Sequence, residues 1–413
     1  MERETPAAHR IRSVGPGMAW ISRRRWPFAL LPGCLLLLSS CRESGEVPGL
    51  RVETVDGETH VYNPSAPAWG LEARPFTLAE VLGAESENGG PTFGRPLAVE
   101  VDDAGNRYVL DGHAQAVQVL GPDGEWMGTL GQGGEGPGEF RAPSDLALLP
   151  DHGLAVLDPG AFRVTFFRTD GEVLGQLPIP EYLSQFEVRS DGSILAYPRG
   201  RAFTLRTLGS EVEREGGPVL VLDPEGNEVG SVSHRRDVQA PIDDPLLNKL
   251  FLACLPGDSL ILSFQSLDRV EIWGPHGTLA RVVHRPVPFQ TEPSRVGEED
   301  RGPGRPPFTG MEFDILSSGL AVHPDGRFWA VLVPRSRARF RTPMFGEPEI
   351  PTEWAIDLFD RQGRWLARQP LDFPASRAAL DWGIDGLYLL NVFEDAAVYR
   401  FQFTEMEREG GEG

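Results

Sequence analysis

The chain has 413 residues and a formal net charge of −21 at pH 7, with 40% hydrophobic and 24% charged residues. This is the composition of a globular protein with a substantial core, not of a disordered chain. The acidic excess argues against nucleic acid or an anionic lipid surface as a partner of the folded body.

The N-terminal region has the pattern of an export signal. Arg23 to Arg25 precede an apolar run, Trp26 to Leu38, which is too short to span a bilayer comfortably. The run ends in Leu38-Ser39-Ser40-Cys41, which resembles the lipobox of bacterial lipoproteins. The resemblance implies cleavage before Cys41 and a lipid anchor on its sulfur. The alternative is a plain signal peptide with an incidental cysteine, and either Met1 or Met18 fits as its start.

The three cysteines agree with an exported protein that has no intrachain disulfide. Cys34 leaves with the signal and Cys41 is acylated, so only Cys254 remains in the folded body. Cys254 lies in an apolar predicted strand, where it is expected to be a small buried hydrophobe and not a nucleophile.

Residues 97–177 contain one pattern written twice. Each copy has four short apolar strands separated by tight turns with Asp-Gly or Asn-type residues, such as Ala104-Gly105-Asn106 and Pro122-Asp123-Gly124. Four short antiparallel strands joined by such turns form one propeller blade. The sequence therefore predicts an all-β propeller.

The number of predicted turns gives the number of blades. Turns between first and second strands are predicted at Gly105, Gly153, Gly192, Gly257, Gly326 and Gly386. Turns between third and fourth strands are predicted at Gly124, Gly171, Gly226, Gly277 and Gly363. The sixth blade lacks a fourth strand, and residues 73–82 read as a fourth strand without a blade. We expect these residues to pair with Val398 to Phe403 and to close a six-bladed ring without open sheet edges.

The repeats resemble the NHL class of six-bladed propellers over roughly residues 70–403. Val99 to Asp111 fits the element Val-x-x-Asp-x-x-Gly-x-x-Tyr-Val-x-Asp, and Arg163 to Phe167 fits Arg-Val-x-x-Phe. Such propellers are mostly binding platforms, but their relatives include lactonases and a lyase, so the fold alone does not decide function.

This interpretation divides the chain into four parts. Residues 1–40 are the signal peptide, and residues 41–70 hold the lipidated cysteine, a tether and a small hairpin around Asp56-Gly57. Residues 71–403 form the propeller, and residues 404–413 are an acidic, Gly-rich tail.

The predicted loops are unequally distributed. Every tight Asp-Gly-type turn falls on one face of the ring, and every long insertion falls on the other, at residues 131–144, 199–217, 233–249, 285–317 and 334–352. Loops carried by a rigid scaffold often bind ligands, although a face that merely tolerates insertions would look the same. The segment Gly131 to Gly136 matches G-x-G-x-x-G, but no helix is predicted to follow, so we interpret it as a connector.

Residues at the beginning of the first strands are expected to rim the channel on the long-loop face. They are Arg95, Arg141, Asp145, Gln185, Glu187, Lys249 and Arg377. Cations there would suit an anionic or carbohydrate-like ligand, whereas salt bridges between blades are the alternative. Asp111 and Asp158, which end second strands, are expected to make turn and loop hydrogen bonds.

The leading hypothesis is a cell-envelope lipoprotein, on the periplasmic side or the cell surface, that binds a protein or small ligand through its long-loop face. Whether it is an enzyme is left open, with binding favoured over catalysis, and no cofactor is predicted. The alternative is a lactonase-, hydrolase- or lyase-type enzyme with a divalent metal in the axial channel, which needs three or four converging oxygen ligands. No His-rich metal motif and no G-x-S-x-G nucleophile elbow occurs.

Overall fold

The structure is a computed structural model. It describes residues 48–83, 92–149, 153–198, 219–232, 249–287, 294–299, 308–342, 351, 353–372, 379–392 and 396–406. All of these belong to the compact unit Glu46–Gly413. The signal region, Cys41 and Arg377 lie outside the described residues. Among the described residues, no helix is long and apolar enough to cross a membrane.

The described strands form six blades of four antiparallel strands each, so the fold is the predicted six-bladed β-propeller. Before blade 1 the chain forms β1 (Arg51–Val55), β2 (Glu58–Tyr62) and β3 (Phe76–Leu82). Blade 1 contains β4 (Pro96–Val101), β5 (Arg107–Asp111), β6 (Ala116–Leu120) and β7 (Trp126–Leu130). The connector to blade 2 contains β8 (Gln132–Gly133) and β9 (Glu139–Phe140).

The next three blades follow in chain order. Blade 2 contains β10 (Asp145–Leu148), β11 (Leu154–Asp158), β12 (Arg163–Phe167) and β13 (Val173–Pro178). Blade 3 contains β14 (Leu183–Val188), β15 (Ile194–Pro198), β16 (Val219–Leu222) and β17 (Glu228–Val232). Blade 4 contains β18 (Leu250–Leu255), β19 (Ser259–Phe264), β20 (Arg269–Trp273) and β21 (Leu279–His284).

Blades 5 and 6 are interrupted by other segments. The connector after blade 4 contains β22 (Ser294–Glu299) and β23 (Phe308–Asp314). Blade 5 is formed by β24 (Gly319–Val322), β25 (Phe328–Pro334), β27 (Trp354–Asp360) and β28 (Trp365–Pro370), and β26 (Arg339–Thr342) lies in its second–third loop. Blade 6 is formed by β29 (Ala379–Gly383), β30 (Gly386–Asn391), β31 (Ala397–Phe403) and β3.

The structure contains the predicted tight turns, formed by glycines and by short polar side chains. Gly105 and Gly124 have φ values of +82° and +80°, in the left-handed region that glycine adopts without steric penalty. Asp102 accepts hydrogen bonds from the backbone N–H groups of Ala104 and Asn106 through one carboxylate oxygen. Short Asp and Asn side chains thus stabilise the turn through hydrogen bonds to neighbouring residues. The repeats can therefore be recognised in the sequence.

The core is divided among the spaces between blades. Six buried apolar clusters occur, one at each contact between neighbouring blades, including the contact between blades 6 and 1. Each blade therefore buries its two faces against its two neighbours, so ring closure completes the core of both end blades.

The predicted closure is confirmed. β3 pairs antiparallel with β31, with Phe76 opposite Phe403 and Leu82 opposite Val398. The strand begins at Phe76, three residues after the predicted boundary, and Ala73 lies buried beside it in the cluster between blades 5 and 6.

Charged residues reinforce this seam. The guanidinium of Arg107 in blade 1, only 3% exposed, lies 3.0 Å from the Glu80 carboxylate of β3 and 3.3 Å from Asp385 of blade 6. Arg400 in β31 also donates to Glu80, at 3.0 Å. The closing strand is thus joined to both blades that flank the seam.

The hairpin expected around Asp56-Gly57 is present as β1 and β2, but its position was not predicted. β2 pairs in parallel with β21, which extends blade 4 to six strands. Beyond the hairpin, Asn63 bonds to His284 and Gly363, and the backbone N–H groups of Ala68 and Trp69 bond to β28. Residues 51–82 therefore form a strap along the outer edges of blades 4, 5 and 6.

Candidate functional site

The strand order assigns a face to each connection. The face that carries the first–second and third–fourth turns is called the turn face here, and the opposite face is the long-loop face. Each of the five long insertions connects a second strand to a third or one blade to the next, so the described strands that flank it end at the long-loop face, as predicted. The described ranges cover the first insertion and parts of the last two.

Two buried aspartates hold the base of this face in blades 1 and 2. Asp111 accepts hydrogen bonds from the backbone N–H groups of Gly94 and Arg95, at 2.7 and 3.0 Å. Asp158 accepts equivalent bonds from Arg141 and Ala142, at 2.9 and 3.0 Å. Each carboxylate therefore anchors the connector that enters its own blade. The prediction that these aspartates make turn and loop hydrogen bonds is confirmed.

Two of the insertions build a structure of their own. β22 and β23, from the connector between blades 4 and 5, pair with β26, from the second–third loop of blade 5, in the order β22-β23-β26. The guanidinium of Arg337 donates two hydrogen bonds, of 2.8 and 3.1 Å, to the buried carboxylate of Asp314. This ordered sheet stands where the sequence indicated only long loops.

The Gly-rich connector is also ordered. Gln132 and Gly133 pair in parallel with Glu139 and Phe140, and Arg163 donates to the carbonyl groups of residues 136 and 139 at 3.0 and 2.7 Å. No helix begins at this segment in the described part of the chain. It lacks the helix that a dinucleotide-binding loop requires, which agrees with its interpretation as a connector.

Two aromatic side chains are exposed on the same face. Phe162, in the β11–β12 loop, is 53% exposed, and Tyr182, between blades 2 and 3, is 43% exposed. Phe162 also has a φ of +52°, a conformation that bulky residues rarely adopt. Exposed aromatic residues are frequent anchors of protein interfaces.

The residues expected at the channel rim fall into two groups. Arg95 and Arg141 are exposed and precede the first strands of blades 1 and 2, and Lys249 precedes that of blade 4 with its ammonium 5.1 Å from the ring centre of Phe251. Asp145 begins β10. Gln185 and Glu187 lie in β14, so both belong to the first strand of blade 3.

Carboxylates from four successive blades interact near the axis. Asp381 of blade 6 accepts from Val99 of blade 1, at 3.0 Å, and Asp145 of blade 2 accepts from Phe186 of blade 3, at 2.9 Å. Glu100 and Glu187 accept in the same manner from the backbone of Leu148 and Cys254, each in the following blade. These four residues, Glu100, Asp145, Glu187 and Asp381, are called the acidic arc.

The acidic arc has strongly perturbed titration. Burial raises the pKa of Asp145 to about 7. Burial together with the neighbouring carboxylates raises the pKa of Glu187 and of Asp381 to about 8. The pKa of Glu100 is raised well above its ordinary value by burial and by the other three carboxylates. Within the described residues, no arc carboxylate forms a salt bridge.

Glu100 and Asp381 were missed at the sequence level. Both carried a signal, since positions 100, 187 and 381 each precede the first-turn glycine of their blade by five residues, at 105, 192 and 386. Asp145, by contrast, precedes the corresponding Gly153 by eight residues. The convergence of the four carboxylates follows from the ring, which no local pattern encodes.

The donor set of the arc consists of carboxylate oxygens, which suit hard cations such as Ca²⁺ or Mg²⁺. Nevertheless, no three His, Cys, Asp or Glu side chains among the described residues are grouped closely enough to hold a metal ion. Each arc carboxylate also already accepts a hydrogen bond from the backbone of the next blade. This geometry does not fit a metal centre, and the bonds between blades give the arc a structural role.

No protein-family model and no curated protein sequence matches the chain. Among solved structures it is similar to a member of the DUF4221 family from Bacteroides vulgatus (9% identity, 80% of this chain and 98% of that one, TM-score 0.49). It is also similar to a candidate exported protein from Bacteroides fragilis (11%, 84% and 100%, TM-score 0.49). A third is virginiamycin B lyase from Staphylococcus aureus (10%, 80% and 100%, TM-score 0.43). At these identities and scores, the likenesses carry no conclusion about activity.

Proposed function

We propose that this protein is an exported lipoprotein, anchored through an acylated Cys41, whose propeller binds a protein or small ligand through the long-loop face. The observation that carries the proposal is that the strands flanking every long insertion end on one face, where described parts of two insertions form the β22-β23-β26 sheet. A rigid ring with elaborated loops on one side has the architecture of a binding scaffold. The exposed Phe162 and Tyr182 supply anchors of the kind that interfaces use.

Export and anchoring rest on the sequence. The lipobox-like Leu38-Ser39-Ser40-Cys41 follows a basic and apolar signal region. Several acyl chains, each methylene contributing about 0.8 kcal/mol of burial, would hold the protein stably at a membrane. The propeller would then act at the periplasmic side or the cell surface.

Site-specific photo-crosslinking in the native cells tests the binding face. A photoreactive phenylalanine analogue replaces Phe162 or Tyr182 on the long-loop face, and Ile384, 50% exposed in the β29–β30 turn, is the matched position on the turn face. We expect one discrete adduct from the first two positions and none from Ile384. Equal adducts from both faces, or none from the long-loop face, would contradict the proposal.

The alternative is a metal-dependent hydrolase or lyase with its site at the axial channel. The acidic arc is the observation that favours it, since four carboxylates approach one another there. Among the described residues, no three potential ligands are grouped closely enough to hold a metal ion. Metal analysis of the purified folded body separates the two: one tightly held divalent ion per chain, lost in Asp145→Asn, would favour the enzyme.

A further inference from the structure

The β1–β2 hairpin is held on blade 4 by a short contact. In the parallel pairing only three residues of β2 take part, with His60, Val61 and Tyr62 opposite Val282, Val283 and His284 respectively. All five residues of β1 are exposed, and Val61 is the one residue of β2 that is buried. So small a contact makes docking sensitive to the loss of any one interaction.

An aromatic stack with a direct imidazole–imidazole hydrogen bond lies at this contact. His60 Nδ1 is 3.0 Å from His284 Nε2. The ring of Tyr62 stacks on that of His284 with centroids 4.3 Å apart and planes 4° apart. The hydrogen bond crosses from the hairpin to β21, so it reports directly on docking.

Such a bond requires one imidazole nitrogen to donate and the other to accept. His60 Nε2 lies 3.7 Å from a carboxylate oxygen of Glu58, which favours a proton on Nε2 and leaves Nδ1 as the acceptor. One further proton on His284 preserves the bond. When both rings are fully protonated, two N–H groups oppose each other, and the bond is replaced by repulsion between like charges.

We propose that His60 and His284 form a pH-sensitive latch, which releases the β1–β2 hairpin from blade 4 as the pH falls below about 6.5.

The environment of His284 determines how the stability of docking changes with pH. Burial lowers the pKa of His284, and the neighbouring His60 and Arg269 act in the same direction while Asp268 opposes them. The docked state therefore favours neutral His284. Docking is fully stable above the ordinary histidine pKa of about 6.5 and weakens as the pH falls through that value.

Carboxylates and arginines from both elements surround the latch. On the hairpin these are Glu58, Glu53, which is opposite His60 in β1, and Arg51, whose guanidinium lies 4.8 Å from the ring centre of Tyr62. On blade 4 they are Asp268 and Arg269. Carboxylates ordinarily protonate near pH 4 and arginine remains charged, whereas the ordinary pKa of histidine is about 6.5.

Release would leave the ring closed. Asn63 lies just beyond the latch, and its side chain donates to the carbonyls of His284 and Gly363 and accepts from the backbone N–H of Trp365. The strap from Asn63 onward thus stays in place while the hairpin swings away. The outer edge of β21 then becomes an unpaired strand edge, which is able to pair with another extended chain.

Hydrogen exchange on the full chain tests the latch. Amide protection in β2 is measured at pH 7.5 and 5.0, corrected for intrinsic exchange, and compared with that of the fully buried strand β25. We expect protection of β2 to fall at pH 5.0 relative to that of β25, because the hairpin is released while the ring stays folded. Equal changes in the two strands would overturn the proposal.

Variants separate the latch from general acid sensitivity. His60→Asn combined with His284→Asn should make the protection of β2 nearly independent of pH in this range, because no imidazole then remains at the contact. The matched control is His276→Asn, at an exposed position in the β20–β21 turn of the same sheet, which should keep the full pH effect. Val61→Ala should lower protection at both pH values by the same factor, because it removes apolar contact without changing titration. A full pH effect that persists in the double variant would refute the latch.

Discussion

Replacing Arg107 with methionine removes the guanidinium that joins blade 1 to the closing strand of blade 6. Arg107 lies 3.0 Å from Glu80 and 3.3 Å from Asp385, and it donates to the carbonyl of Pro122 at 3.0 Å. Methionine retains much of the apolar volume, so the substitution mainly removes charge and hydrogen bonds. The seam would then contain two carboxylates without their principal cation.

The expected destabilisation is about 2–3 kcal/mol. Removing one partner of a fully buried pair costs about 3–5 kcal/mol. The value here is lower because Glu80 and Asp385 are 25% and 26% exposed. Glu80 also keeps Arg400, and Asp385 keeps the hydroxyl of Tyr388.

Urea unfolding of the wild type and Arg107→Met measures this difference. The matched control is Arg168→Met, where the arginine is 53% exposed and pairs with Glu172 on the surface, so that its loss should cost less than about 0.5 kcal/mol. Adding Glu80→Gln to Arg107→Met should recover part of the loss, because the two residues interact. Equal unfolding free energies for the two arginine variants would refute the claim that charge reinforces the seam.

Three further predictions concern the channel, the connectors and the anchor. Because burial raises the pKa of Asp145, Glu187 and Asp381, the folded state retains protons that the unfolded state releases. Stability should therefore fall as the pH rises from about 4 to about 8; urea midpoints that rise over this range would contradict the shifts, and Asp145→Asn should raise the midpoint at pH 8. Asp158→Ala should cost about 1–3 kcal/mol in urea unfolding, because it leaves two partly buried N–H groups of the connector unpaired, and wild-type stability would disprove the anchoring role. Cys41→Ala should move the protein from the detergent-extractable membrane fraction to the soluble fraction, and retention in the membrane would exclude lipid anchoring.

The six-bladed ring was predictable from the sequence because each repeat is formed by residues that are close together in the chain. Gly105, Gly124 and their counterparts fold turns with their immediate neighbours, so counting turns predicted six blades and one missing strand. The pairing of β3 with β31 joins residues more than 300 positions apart. It was predictable only because each strand lacked a partner in its own neighbourhood.

Other features depend on contacts between distant parts of the chain, and the sequence did not predict them. The hairpin docks in parallel through His60 and Val282, which are 222 positions apart (282 − 60), and an exposed β1 gives no sign of a partner. The acidic arc depends on four strands that approach the axis together. In the same way, β26 pairs with β23 only because both insertions rise from the same face.

The central claim is that the long-loop face is the binding surface. It is tested most directly by comparing hydrogen exchange of the protein in its native membranes with that of the purified protein. In the native membranes we predict extra protection of the backbone amides of residues 132–142 and 159–162, on the long-loop face. We predict no extra protection at the turns of residues 102–106 and 121–125. Protection confined to the turn face, or no difference between the two preparations, would contradict it.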